Sequence, residues 1–128
     1  MQPQIRDVRA TFWNSAPIVG RVNIDENGEV AVLECYPDLA EYRGYVSAKA
    51  IDDAQAEIPY EVVSPASCQE VLPCWRRYSK TMRFETGEDL ATFCALERHA
   101  NRGQSVTFRQ AGPGGLDLQV VWDVDSSD

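Results

Sequence analysis

The alternation on either side of Gly112-Pro113-Gly114-Gly115 constrains this chain most. Before that break Val106 and Phe108 alternate with Ser105, Thr107 and Arg109, and after it Leu116, Leu118, Val120, Trp122 and Val124 recur at every second position. A period of two sends these apolar side chains to one face of a strand, and a glycine-rich break between two such runs is a hairpin turn. Upstream, Met82 and Phe84 alternate with Arg83 and Glu85, again the pattern of a half-buried strand. Between that strand and the hairpin the period changes. Thr86 and Asp89 form a capping-box pattern, and Leu90, Phe93, Leu96 and Ala100 then fall on one face at helical spacing. Gly103 is placed to end the helix in the left-handed conformation that a Cβ resists. The spacing predicts a strand-helix-hairpin unit over 81–124 with its principal helix at about 87–102.

The rest of the chain is expected to be mainly β. Val8, Ala10 and Phe12 alternate with Arg9, Thr11 and Trp13 as a first strand over 5–13, interrupted by Pro17. Two runs rich in β-branched residues, Ile18 to Ile24 and Glu29 to Cys35, flank Asp25-Glu26-Asn27-Gly28, which predicts a hairpin with Gly28 at the left-handed position. Residues 45–57 carry two signals. Val46, Ala48 and Ala50 alternate as in a strand, whereas Ile51, Ala54 and Ile58 keep helical spacing in alanine-rich sequence; the strand reading is preferred, with a second strand at Ile58 to Val63. Pro59 places that strand at a sheet edge. Ser64-Pro65 reads as the capped start of a short helix ending before Pro73, and Cys74-Trp75-Arg76-Arg77-Tyr78 as a basic connector. The expected fold is α+β: one antiparallel sheet of about six or seven strands with the principal helix on one face. It is a single domain over 1–128, mainly β and acidic over 5–63, with the short helix and connector at 64–80 and a frayed tail at 125–128.

A chain of 128 residues with 44% hydrophobic and 25% charged residues has enough apolar sequence for one core without metal or disulfide staples. No window is long and apolar enough to cross a bilayer, and the first residues lack a signal-peptide core, so the expected location is cytoplasmic and Cys35, Cys68, Cys74 and Cys94 are expected as thiols. Net charge is −8. It disfavours direct nucleic acid or an anionic membrane as partner. Residues 25–61 hold ten acidic residues against Arg43 and Lys49, which accounts for all of it.

No residue set predicts catalysis, a metal or a cofactor. Five residues separate Cys68 from Cys74, and Cys94 and His99 point to different sides of one helix, so neither pair has zinc spacing. His99, the sole histidine, lies beside Arg98 and Arg102 in a last helical turn, where exposed carbonyls favour positive charge. Asp25-Glu26-Asn27-Gly28-Glu29 is too short for a calcium loop. Phosphate-binding glycine loops and nucleophile elbows are missing from the sequence. Glu97 breaks the apolar face of the principal helix, and pairing with Arg83 or Arg109 is expected to offset its burial.

What remains is a recognition surface. Asp25, Glu26, Glu34, Asp38, Glu41, Asp52, Asp53 and Glu57 are interleaved with Tyr36, Tyr42, Tyr45 and Tyr60, and aromatic residues among charges are typical interface anchors. The expectation is a non-enzymatic acidic protein, a monomer or small homo-oligomer, that blocks a basic, nucleic-acid-handling surface of a partner protein, as immunity proteins, antitoxins and phage anti-defence inhibitors do. Two alternatives stand beside it: a phage or bacterial assembly protein making contacts through Trp75 to Tyr78, and a small cysteine-dependent enzyme.

Overall fold

A computed structural model describes residues 2–100 and 106–125. The described residues form seven strands in two antiparallel sheets, with two α-helices, an α+β fold. Two sheets replace the single one expected. The chain groups into two compact units, one of residues 1–57 with 95–100 and the other of residues 58–94 with 101–128.

In unit 1, β1 (Gln4–Arg9), β2 (Ile18–Ile24) and β3 (Val30–Cys35) pair in the order β1-β2-β3. The β2–β3 hairpin forms as its sequence predicts, with Gly28 at φ 82°. Asp25 fixes the turn by accepting the amides of Asn27 and Glu29 at 2.8 and 2.9 Å. β1 stops at Arg9, short of the expected strand over 5–13. Val8 and Ala10 are buried, but Ala10 donates its amide to Pro17 and the chain turns, leaving Phe12 and Trp13 outside the ladder.

The segment expected as a strand over 45–57 lies in α1 (Ala40–Ala56). Val46, Ala50 and Ala54, spaced by four, are all buried together with Ile51, so one stripe satisfies the sheet beneath. The five alanines of this helix cost little side-chain entropy, and α1 packs close. A Cβ built on Gly20 of β2 would lie 2.8 Å from Val46 Cγ1 and 2.9 Å from the carbonyl oxygen of Glu34.

In unit 2, β4 (Tyr60–Leu72), β5 (Trp75–Phe84), β6 (Val106–Ala111) and β7 (Asp117–Asp125) pair in the order β4-β5-β7-β6. The expected C-terminal hairpin is β6–β7, its connection tightened by a 3₁₀ turn at Pro113–Gly115. The short helix expected from Ser64 is instead the middle of β4, and the basic connector is the start of β5. The local cap signal at Ser64-Pro65 loses to pairing with β5 from Tyr60 to Leu72. Pro65 is tolerated because β4 is an edge strand, the position Pro59 predicts, and the pairing is irregular on both sides of Ser64. Asp125, expected in the tail, is the last residue of β7; residues 126–128 lie outside the described residues.

The helix expected at about 87–102 is α2 (Gly87–Ala100), which at 14 residues is shorter than the 17-residue α1 and so is not the principal one; Gly103, its expected stop, lies outside the described residues. Thr86 Oγ1 accepts the Asp89 amide at 3.1 Å, as the capping pattern predicts. Leu90, Phe93 and Cys94 pack with Met82, Phe84, Leu118 and Val120 as the core of unit 2, and Tyr60 adds its ring beside Phe84 and Phe93. Leu96 is fully buried. Glu97 is half-buried and accepts a hydrogen bond from Gln55 Nε2 at 2.7 Å, while Arg83, one of its expected partners, is engaged by Asp117. An amide donor on the facing helix thus supplies Glu97 with a partner of the kind burial requires.

Candidate partner-binding surface

The loop between β1 and β2 and the first turns of α1 build one aromatic cluster within unit 1. Phe12 lies edge-on to Trp13, with ring centroids 4.9 Å apart, and edge-on to Tyr45 at 5.4 Å; Trp13 lies 6.3 Å from Tyr42, and Tyr42 6.3 Å from Tyr45. Tyr42 and Tyr45 are three apart on α1, so both project toward the loop. Turn hydrogen bonds hold the loop: the Trp13 amide donates to Ala10, the Ala16 amide to Trp13 at 2.9 Å, and Arg9 Nη1 to the Ala16 carbonyl at 2.9 Å. The rings support one another yet remain accessible. Phe12 is 59% exposed and Trp13 42%. Covering about 100 Å² of such a ring removes roughly 2.5 kcal/mol of unfavourable hydration, so a partner that covers both gains appreciable affinity.

The twelve residues expected to bind a partner are dispersed more widely than their sequence clustering suggests. Tyr42 and Tyr45 join the aromatic cluster, and Glu41 sits beside them in the exposed first turn of α1. Tyr36 is exposed and donates its hydroxyl to Glu34 at 2.9 Å. That bond, reinforced by the nearby negative charge, holds the phenol above its ordinary value of 10.0. Asp38 pairs with Arg43 at 2.7 Å. Asp53 pairs with Lys49 one turn before it, and Glu57 with Arg6 of β1. The hydrogen bond from Arg6 lowers the Glu57 carboxyl and raises the guanidinium in turn. Asp25 is held in the hairpin turn. Tyr60 belongs to unit 2, against Phe84 and Phe93. Glu26, Glu41 and Asp52 are exposed and have no ion pair among the described residues.

Folding therefore neutralises part of the acidic segment with cations from inside and outside it. Arg43 and Lys49 pair with Asp38 and Asp53 from inside the segment, and Arg6, distant in sequence, reaches Glu57 from outside it. Unit 1 has eleven acidic and six basic residues, a net charge of −5, against −3 for unit 2. Phe12 and Trp13 are the surface residues that sequence alternation misses. Their signal was available: two adjacent large aromatics cannot both face one side of a strand, and Asn14-Ser15 follows them as turn chemistry.

The other candidate groups are structurally engaged. His99 Nε2 lies 3.1 Å from the Asn27 carbonyl, to which it donates. Cys35 is buried and donates its thiol to the Pro37 carbonyl at 3.2 Å, and Cys94 lies in the core of unit 2. Cys68 and Cys74 are exposed and are not joined in a disulfide, and Cys68 Sγ accepts Arg76 Nη1 at 3.9 Å. Among the described residues, His, Cys, Asp and Glu nowhere assemble into a group able to hold a metal ion, and no helix is long and apolar enough to cross a membrane. Comparison with protein-family profiles, with curated proteins and with solved structures finds no match to this chain.

Proposed function

We propose that this is a non-enzymatic binding protein that docks the aromatic cluster of unit 1 onto a basic surface of a partner protein and thereby blocks it. The exposed rings of Phe12 and Trp13, braced by Tyr42 and Tyr45, carry the reading. They provide the apolar centre of an interface, and Glu41, exposed in the first turn of α1 beside Tyr42, provides charge at its margin. Arginine-rich surfaces fit this chemistry best, because a guanidinium stacks on aromatic rings and pairs with carboxylates. A partner groove that ordinarily holds a nucleic-acid backbone is such a surface. The engagement of His99 with Asn27 supports a role without acid–base chemistry.

The test is to capture the partner from the native host, purify it, and titrate it against wild type and the Phe12→Ser/Trp13→Ser variant. At least a tenfold loss in the variant, with wild-type affinity falling as salt rises, is the expected result. Equal affinity of the two proteins, or binding indifferent to salt, overturns the reading. A second reading, homo-oligomeric assembly, draws on β4: it is an edge strand, with Val62 and Leu72 among its exposed residues. A defined oligomer in size-exclusion chromatography favours assembly and a monomer favours the blocking role.

A further inference from the structure

The sheet of unit 2 has α2 over the face that carries Met82, Phe84, Leu118 and Val120. Strand alternation sends the intervening residues to the opposite face. There Arg83 lies across from Asp117, Arg77 from Asp123, and Arg109 from Gln119. Arg77 donates Nε and Nη2 to the two carboxylate oxygens of Asp123 at 2.9 and 3.2 Å, and Arg83 does the same to Asp117 at 2.7 and 3.1 Å. Arg109 differs. Its cross-strand neighbour is an amide, whose Nε2 is directed to Ser79 Oγ at 3.4 Å, and Arg109 has no ion pair among the described residues. Beside it lies a depression of about 300 Å³ lined by Arg77, Thr107, Arg109, Gln119, Val121 and Asp123.

We propose that this depression binds a carboxylate group, with Arg109 as its anchor. The face already displays the chemistry twice, since two of its three arginines grip a carboxylate through a two-pronged contact and the third has the same fork with no carboxylate to grip among the described residues. Charge fixes the class of ligand. Two guanidinium groups and one carboxylate leave the lining at +1, which a singly charged carboxylate balances; a doubly charged phosphate exceeds it and meets Asp123. The Thr107 hydroxyl supplies a neutral donor, and Val121 gives an apolar floor for the carbon chain behind the carboxylate. The volume is at the lower end of ligand sites, so the ligand is a small carboxylic acid or one acidic side chain of a polypeptide. This site is independent of the aromatic cluster and stands or falls separately from it.

The experiment is an amide-resolved NMR titration of the full chain with butyrate, with the capped tripeptide acetyl-Ala-Glu-Ala-amide, and with inorganic phosphate. Saturable shifts at Thr107, Arg109, Gln119 and Val121 with either carboxylate are expected, with a dissociation constant on the order of 1 mM for one exposed arginine fork and its neighbours. Tighter binding of butyrate identifies a free acid as the source, and tighter binding of the peptide an acidic segment. Arg109→Gln, whose unligated spectrum reports its fold, removes the shifts; Arg109→Lys weakens binding about tenfold because it keeps the charge and loses the fork. Thr107→Val, which leaves every charge in place, lowers affinity severalfold and serves if Arg109→Gln is misfolded. Shifts that fail to saturate, equal shifts with phosphate, or titrations unchanged in these variants overturn the proposal.

Discussion

Unit 1 displays the rings of Phe12 and Trp13, whereas unit 2 buries those of Phe84 and Phe93. Phe12 and Trp13 sit on a loop whose backbone has left the sheet, so their rings lie against Tyr42 and Tyr45 with their outer faces in water. Phe84 and Phe93 occupy equivalent apolar mass in unit 2, yet a strand and a helix close over them. Charge is handled partly alike. Both units set arginine–aspartate pairs directly across neighbouring strands, Arg21 with Asp7 in unit 1 and Arg77 with Asp123 and Arg83 with Asp117 in unit 2, but unit 1 also ties a strand to its helix end through Arg6 and Glu57. A residue type does not decide its role; whether the backbone that carries it stays in a ladder does.

The comparison breaks most visibly at the rings. Phe84→Ala is expected to lower stability by about 3–5 kcal/mol in urea denaturation, the ordinary cost of deleting a buried phenylalanine. Phe12→Ala should cost less than about 1 kcal/mol, as a surface substitution does. A cost above about 2 kcal/mol at Phe12 would make its ring part of the core and remove the contrast. Next in size is Gly20→Val, expected to destabilise by about 1–3 kcal/mol because its side chain enters the space of Val46 and the Glu34 carbonyl. Val46→Ala should recover part of that loss in the double variant, and strict additivity would show that α1 does not rest on β2 at this point.

Smaller effects sharpen the electrostatic half of the contrast. A double-mutant cycle on Arg6 and Glu57 is expected to give about 0.5–1 kcal/mol, because Glu57 is largely exposed although Arg6 is mostly covered. In unit 2 the hydrogen bonds from Arg83 and Arg77 lower the carboxyls of Asp117 and Asp123 below their ordinary value of 3.8. A depressed folded value contributes stability that is complete above the ordinary value and is lost as pH falls through the folded one. Acid titration of stability should therefore steepen below about pH 3.8. The Asp117→Asn/Asp123→Asn variant should flatten that limb, and an unchanged acid limb would detach these pairs from stability.

Legibility followed the range of the interactions. The C-terminal hairpin, the β2–β3 hairpin and the start of α2 were readable because glycine turns, alternation and a threonine cap act within a few residues. Residues 45–57 were not: alternation and helical spacing coexist there, and the helix prevails because Val46, Ala50 and Ala54 have the three strands of unit 1 to pack on. Ser64-Pro65 misled for the same reason, since a cap signal is local while Ser64 pairs with Thr81 of β5, far along the chain. The recognition surface was half legible. Tyr42 and Tyr45 were readable as interface residues, but Phe12 and Trp13 were read as strand because their exposure depends on where β1 stops.

By itself the sequence determined the fold class, the edge position behind Pro59, the turn at Gly28, the packing face of α2 and an excess of acid between Asp25 and Glu61. Tertiary structure alone decided that there are two sheets, that Glu97 takes Gln55 as partner, and which acids are neutralised. It also decided that four rings from two segments meet at one surface and that Arg109 has no carboxylate partner among the described residues. The reason is physical. Local pattern specifies which way a side chain points along its own element, whereas the identity of its neighbours depends on which elements pair, and that is settled by burying the whole core at once.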